Sequence, residues 1–251
     1  MIYFRQSVLI SKFIDHLKNK IMKGTTSKAL SGFGILLIMC SSLFVMAQSL
    51  NDAEGNEYKT IKHGLQEWTA SNLDVSQFRN GDAITEAKTN EEWIAAGSEG
   101  KPAWCYFNND PENGKKFGKL YNWYAINDPR GLVAKGWHVP ASPDWKTLIR
   151  NLLGIDVAGT KLKSKTGWKS KNGTDNIGFD ALPGGYRNEK GEFKDLGTKC
   201  QWWNNSEPVE VKKSNTIYSI MLSDNSYEVS YIKVKKETGL SVRLIKDKIA
   251  K

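Results

Sequence analysis

Between residues 142 and 154 the apolar positions Trp145, Leu148, Ile149 and Leu152 fall at the i, i+3, i+4, i+7 spacing of a single helix face. The flanks agree: Ser142 reads as the N-cap, Pro143 as the first helical residue, Asp144 as the acid at the positive end of the dipole, and Gly154 as the stop. A second helix is predicted over Asp156–Leu162, and a third opens at Thr89, where Glu92 completes a capping box, and stops at Gly97. Elsewhere the pattern is that of strands. Tyr58–Ile61 and Glu67–Ala70 flank a turn at Lys62-His63-Gly64, with His63 exposed in it. Trp104–Phe107 is a short aromatic strand. Tyr186-Arg187 and Glu192-Phe193 enclose Asn188–Gly191; Thr216–Leu222 and Tyr227–Val234 enclose Ser223–Ser226; and Leu240–Ile245 is the last strand. Strands at both ends with one or two short helices between them give an α+β domain of twisted antiparallel sheets and long ordered loops.

The chain before residue 48 reads differently. Phe33–Met46 is an uncharged, mostly apolar run of 14 residues, short for a membrane span and of signal-peptide length, with Lys23 and Lys28 ahead of it and Ala47 at its end. Residues 1–47 are therefore expected to be a removed leader, with Met22 the better start, and the product exported to the cell surface or medium with no membrane span left. Cys40 has the spacing of a lipidation box, but Met39 stands where a small residue is required, so lipoprotein anchoring is disfavoured. Residues 48–55 are expected to be a flexible start and 56–248 a single domain.

The leader changes the charge picture. The whole chain is +9, but residues 1–47 hold six Lys or Arg against one Asp, leaving +4 on the remaining 204 residues. The basic run Lys161, Lys163, Lys165, Lys169 and Lys171 alternates with Thr, Ser, Gly and Trp and reads as a solvated face; no nucleic-acid partner is expected. All nine tryptophans lie between Trp68 and Trp203, which predicts loops pinned into one aromatic core. Cys105 and Cys200 survive leader removal. In an oxidising compartment they are either bridged, at a gain of ~4 kcal/mol for a long unstrained loop, or free.

Several aromatic and Gly/Pro blocks recur in order: Trp104–Pro111, Gly118–Ala125, Gly136–Pro140 with Trp145, Gly178-Phe179 before Ala181–Arg187, Trp202-Trp203, and Gly239–Arg243. In these the chain, from Tyr58 to Asp247, resembles the Fibrobacter succinogenes major paralogous domain family of secreted and surface proteins. The resemblance implies kinship with C-type-lectin-like and formylglycine-generating-enzyme-like folds, a looped α+β domain whose first and last strands pair, and no particular activity. It also implies that Cys105 would pair with a terminal cysteine, in whose place this chain has Leu244.

Candidate chemistry is sparse. The sugar-chelating Glu-Pro-Asn triplet of lectins of that fold is interrupted, because Val209 follows Glu207-Pro208. Asn108, Asn109 and Asp110 supply oxygens at turn spacing, with Asp110 the weak calcium candidate; otherwise no metal or cofactor is expected. These oxygens equally suit a loop that satisfies its own backbone. Trp168, Trp202 and Trp203 are the indoles expected nearest a rim, where they would stack on sugar rings, against the alternative that they plug loop bases. Cys105 and Cys200 match no copper-holding oxidase motif. His138 stands alone between Trp137 and Val139, without a serine elbow or a Cys-x-x-Cys. The leading expectation is a non-catalytic binding module for glycan or protein that uses Asn108, Asn109, Asp110, Trp168, Trp202, Trp203 and Glu207. The rivals are a secreted enzyme with Asp110, Asp128 and Glu207 in one cleft, and a structural surface component.

Overall fold

The computed structural model describes residues 49–206 and 214–248; the leader, Cys40 and Glu207 lie outside the described residues. Strands β1 (Ser49–Asn51), β2 (Glu57–His63) and β3 (Gln66–Thr69) open the domain, followed by β4 (Thr85–Glu86), α1 (Asn90–Ser98) and β5 (Ala103–Cys105). After a 3₁₀ turn at Phe107–Asn109 come α2 (Pro111–Phe117), β6 (Leu120–Tyr121), α3 (Trp123–Ile126), β7 (Trp137–His138), α4 (Ser142–Asn151) and α5 (Ile155–Leu162). The remainder is strand: β8 (Gly184–Arg187), β9 (Phe193–Leu196), β10 (Lys199–Trp203), β11 (Thr216–Ser223), β12 (Ser230–Lys235) and β13 (Ile245–Lys246).

These strands form sheets ordered β1-β2-β3-β13-β7, β12-β11-β10-β8-β9 and β4-β5-β6. The α+β class is as the pattern predicts. The last strand returns to the first hairpin, Ile245 opposite Trp68. Two pairings are parallel rather than antiparallel, β8 with β10 and β4 with β5. β9 intervenes in the first pair and helix α1 in the second, so no hairpin signal marks them. Near the start, Ser49–Asn51 pairs with Glu57–Lys59, and Asp52 closes the turn by accepting from the Glu54 and Asn56 N–H groups, Asn56 Nδ2 and the Tyr58 hydroxyl.

The helices follow the predicted stripes with shifted caps. Around α1, Thr89 and Glu92 form the reciprocal capping box, and the helix runs past Gly97 to Ser98. Ahead of α4 the cap position is Ala141, and the Asp144 carboxylate accepts its N–H at 3.0 Å. Ser142 lies one residue inside, its hydroxyl accepting from Asn204 Nδ2. The turn after β2 is at Gly64-Leu65, with His63 paired to Gln66, so His63 ends a strand half-buried rather than standing exposed.

The aromatic residues fill three clusters instead of one. Trp68, Trp145, Phe179 and Trp202 interlock with ring centres 4.9–6.2 Å apart. Trp123 and Trp203 meet edge to face at 5.4 Å in a second cluster, and Trp93, Cys105, Phe107 and Leu120 make a third. The division follows from strand periodicity. Trp202 and Trp203 are consecutive on β10, a central strand, and must point to opposite faces of the sheet. One indole therefore enters each core.

Candidate functional site

The last segment of the chain carries a charge into this interior. Arg243 is 2 % exposed and lies over the Phe179 ring at 4.4 Å. Its Nε donates to Asn72 Oδ1 at 2.7 Å, one terminal nitrogen to Thr69 O at 2.9 Å and the other to the Asp180 carbonyl at 3.3 Å. Burial pulls the guanidinium down to about 10, so it remains charged at neutral pH. Asn72 is the hub: the same Oδ1 accepts from Trp202 Nε1 at 2.9 Å, and Nδ2 donates to Phe117 O at 2.8 Å, which ties the last residues of α2 to the β3 side. Gly118 makes this join possible. It closes α2 at φ 71, and a Cβ there would stand 2.8 Å from Leu73 O.

A second buried cation stands beside it. Lys119 Nζ donates to Asp74 Oδ1 at 2.8 Å and to Asp74 O at 2.7 Å, 4.6 Å from the centre of the Trp104 ring. Burial raises the Asp74 carboxyl, and the Lys119 contact opposes that rise. The Tyr58 hydroxyl accepts from the Asp74 N–H and donates to Asp52, and burial raises it further above the ordinary tyrosine value.

Between these groups opens a cleft of about 310 Å³, at the small end of ligand sites. Its fixed wall is Tyr58, Asn72, Asp74, Phe117 and Arg243; its rim is Glu57, Ser71, Lys115, Lys116 and Asp180, all exposed. Of the residues singled out from the sequence as ligand-binding, none of the described ones (Asn108, Asn109, Asp110, Trp168, Trp202 and Trp203) lines it. An arginine and a lysine set in apolar stretches (Leu240–Ile245, Gly118–Tyr121) are the signal that could have pointed there.

The sequence-picked residues have other work. Asn108 and Asn109 adopt left-handed backbone, φ 55 and 54, and Asn109 Nδ2 donates to Lys88 O. Asp110 caps α2 through the Glu112 N–H. Of these side-chain oxygens the Asp110 carboxylate is taken by the helix, and among the described residues no group of three or more His, Cys, Asp or Glu is placed to hold a metal ion. Trp168, Trp202 and Trp203 are all buried, which corrects the rim expectation: each Nε1 is spent inside, on Ser164 and Ala181, on Asn72, and on Tyr121 O respectively. Cys105 and Cys200 are free thiols on different sheets and in different clusters, so the bridge is overturned. Burial pushes both up, Cys105 to about 12, which leaves them poor nucleophiles. Leu244 is buried in yet another cluster from Cys105. Lys163, expected on a solvated face, is fully buried and donates to Ser223 O and Ser226 O.

Asp128 and His138 are also engaged. Asp128 grips Arg130, whose hydrogen bonds hold the carboxyl below its usual range. His138 is clamped between carboxylates, Nδ1 2.6 Å from Asp247 and Nε2 3.3 Å from Asp144. The Asp144 bond, chiefly, raises the imidazole above its ordinary value. With both nitrogens engaged it offers no free base to a substrate. This group lines a smaller hollow of about 250 Å³ with Leu65, Gln66, Lys246 and Lys248.

Among the described residues no helix is long and apolar enough to cross a membrane. A family model described as Fibrobacter succinogenes major domain matches residues 61–246. No curated protein and no solved structure matches the chain.

Proposed function

The chain belongs to the Fibrobacter succinogenes major domain family, and on that premise we propose that it is an exported, non-catalytic binding module that takes a glycan in the Arg243 cleft. One observation carries the reading: the ionisable groups of the cleft wall are spent on protein partners, while the exposed groups stand on the rim. Arg243 is consumed by three protein acceptors, Lys119 by Asp74, and Tyr58 by Asp52 and the Asp74 N–H. Such a wall holds shape and has no free acid, base or nucleophile to lend a reaction. The rim offers a hydroxyl, carboxylates and ammonium groups beside the edges of Tyr58 and Phe117, the mixture that suits the hydroxyls and apolar face of a sugar ring. The leader expected over residues 1–47 supports the exported address. The return of β13 to the first hairpin supports a C-type-lectin-like fold.

The test is a glycan and protein array probed with the purified protein, with and without calcium. Binding to a glycan class is expected, weakened about 10-fold in Asp180→Asn combined with Ser71→Ala. Asparagine tolerates the left-handed backbone at position 180 (φ 48), so the fold survives the change. Glycan binding untouched by the double variant would remove the cleft from the account.

A further inference from the structure

The charge of the described domain is unevenly divided. Residues 49–144 hold ten Lys or Arg against fourteen Asp or Glu, a net −4; residues 145–172 hold seven Lys or Arg against Asp156 alone, a net +6. That second stretch is α4, α5 and the loop that follows. Lys146 and Arg150 are exposed on α4, Lys161 is in the last turn of α5, and Lys165, Lys169 and Lys171 are exposed beyond it. Of the seven only Lys163 is turned inward.

The same end of the molecule exposes aliphatic side chains that a water-facing surface does not need. Leu65, at the β2–β3 tip, is 103 % exposed, Leu153 is 77 % exposed, and Ile155, Val157 and Tyr227 are also exposed. They come from three segments that meet. The hairpin tip abuts the end of α4 so closely that a Cβ on Gly64 would stand 3.0 Å from Asn151 Nδ2. The β11–β12 loop packs on α5, with the Val229 N–H donating to Ile155 O and Tyr227 O within 2.5 Å of a Cβ placed on Gly159. Lys171 Nζ lies 4.8 Å over the Tyr227 ring. The acids here are Asp156 between the two α5 aliphatics, Asp224 and Glu228 in the β11–β12 loop, and Asp144 and Asp247 at the His138 clamp, where Lys246 and Lys248 also stand.

We infer that this face docks on an anionic lipid bilayer, its lysines against the phosphate headgroups and Leu65, Leu153, Ile155 and Val157 below them. Charge complementarity selects a polyanionic partner, and the aliphatics choose among polyanions. A wholly exposed leucine at a hairpin tip gains nothing against a nucleic acid or an acidic polysaccharide but is stabilised on entering the headgroup–acyl boundary. The face is separate from the Arg243 cleft, shares no lining residue with it, and stands or falls without the glycan reading.

The experiment places an environment-sensitive dye on Leu65→Cys in the full chain with Cys40→Ser, Cys105 and Cys200 being buried. A dye at position 65 reports on this face whatever the leader does. It is titrated with phosphatidylcholine vesicles, with vesicles containing about one-third phosphatidylglycerol, and with duplex DNA. The dye is expected to shift to the blue on the anionic vesicles alone, less so as salt rises. Lys165→Ala, Lys169→Ala and Lys171→Ala together should weaken the response about 100-fold. Leu153→Asn, which suits the left-handed backbone at that position (φ 75), should weaken it about 10-fold. A dye that stays in water on anionic vesicles, or that responds equally on phosphatidylcholine, overturns the proposal. A response to DNA as large as that to anionic vesicles overturns the lipid assignment.

Discussion

Two polar groupings in this domain use the same chemistry at opposite depths. Around Arg243, a buried cation, an amide and two backbone carbonyls share donors and acceptors among aromatic rings. Around His138, a cation forms when protonated between two carboxylates, with 40 % of the ring side chain still exposed. In the interior each donor has one place to go, and deleting it strands acceptors that water cannot reach. At the surface water and salt replace whatever is lost. The first grouping therefore holds the fold and the cleft, and the second adjusts stability with pH.

The sharpest way to break that contrast is Arg243→Ala. It strands Thr69 O and Asp180 O, leaves Asn72 Oδ1 with Trp202 Nε1 alone, and opens a void beside Phe179 and Trp202; a loss of about 4 kcal/mol is expected in urea unfolding. Arg243→Lys should recover little, because an ammonium cannot span the three acceptors. Next comes Lys119→Met, which leaves the Asp74 carboxylate half-buried without its cation, at a cost of ~3 kcal/mol near neutrality. Asp74 already has a raised folded-state pKa, and removing Lys119 raises it further. A group raised in the folded state favours folding below its unfolded pKa and loses that favour as pH rises, so the defect should shrink in acid. A penalty equal at acid and neutral pH would show that the pair is not the cause.

The smallest effect belongs to His138→Asn, below ~1 kcal/mol. The folded-state imidazole is raised, so its contribution is complete below the unfolded value of about 6.5 and drains away as pH climbs through the folded value. Asp144 runs the other way. Burial, its largest influence, pushes it up, but the bonds from His138 and the Ala141 N–H together hold it low. Its contribution is present above the unfolded value and lost in acid. Unfolding free energy measured from pH 6 to 9 should slope downward in the parent and lie flatter in His138→Asn.

What the sequence disclosed and what it hid divide along the same line. The capping box of Thr89 and Glu92, the buried stripe Trp145, Leu148, Ile149 and Leu152, and the hairpins after Arg187 and Ser223 are local, and local chemistry specifies them. Cap positions slipped where a distant partner intervened: the Ser142 hydroxyl is taken by Asn204, and Asp144 caps in its stead. Lys163 looked solvated because its acceptors, Ser223 O and Ser226 O, lie some sixty residues on. The cleft was hidden for the same reason. Asn72, Lys119 and Arg243 come from separated segments, and only the fold brings them together. Asn108–Asp110, a dense cluster of oxygens in sequence, proved to be a loop satisfying itself and the next helix.

The account rests on a cleft that retains its ligand without transforming it. The direct measurement is mass analysis of glycans held by the protein after equilibrium dialysis against a mixed oligosaccharide pool. At least one class should be concentrated on the protein, recovered at its original mass, and held about 10-fold more weakly by the Asp180→Asn, Ser71→Ala variant. Shortened or newly modified products, or a protein that concentrates nothing from the pool, would contradict it.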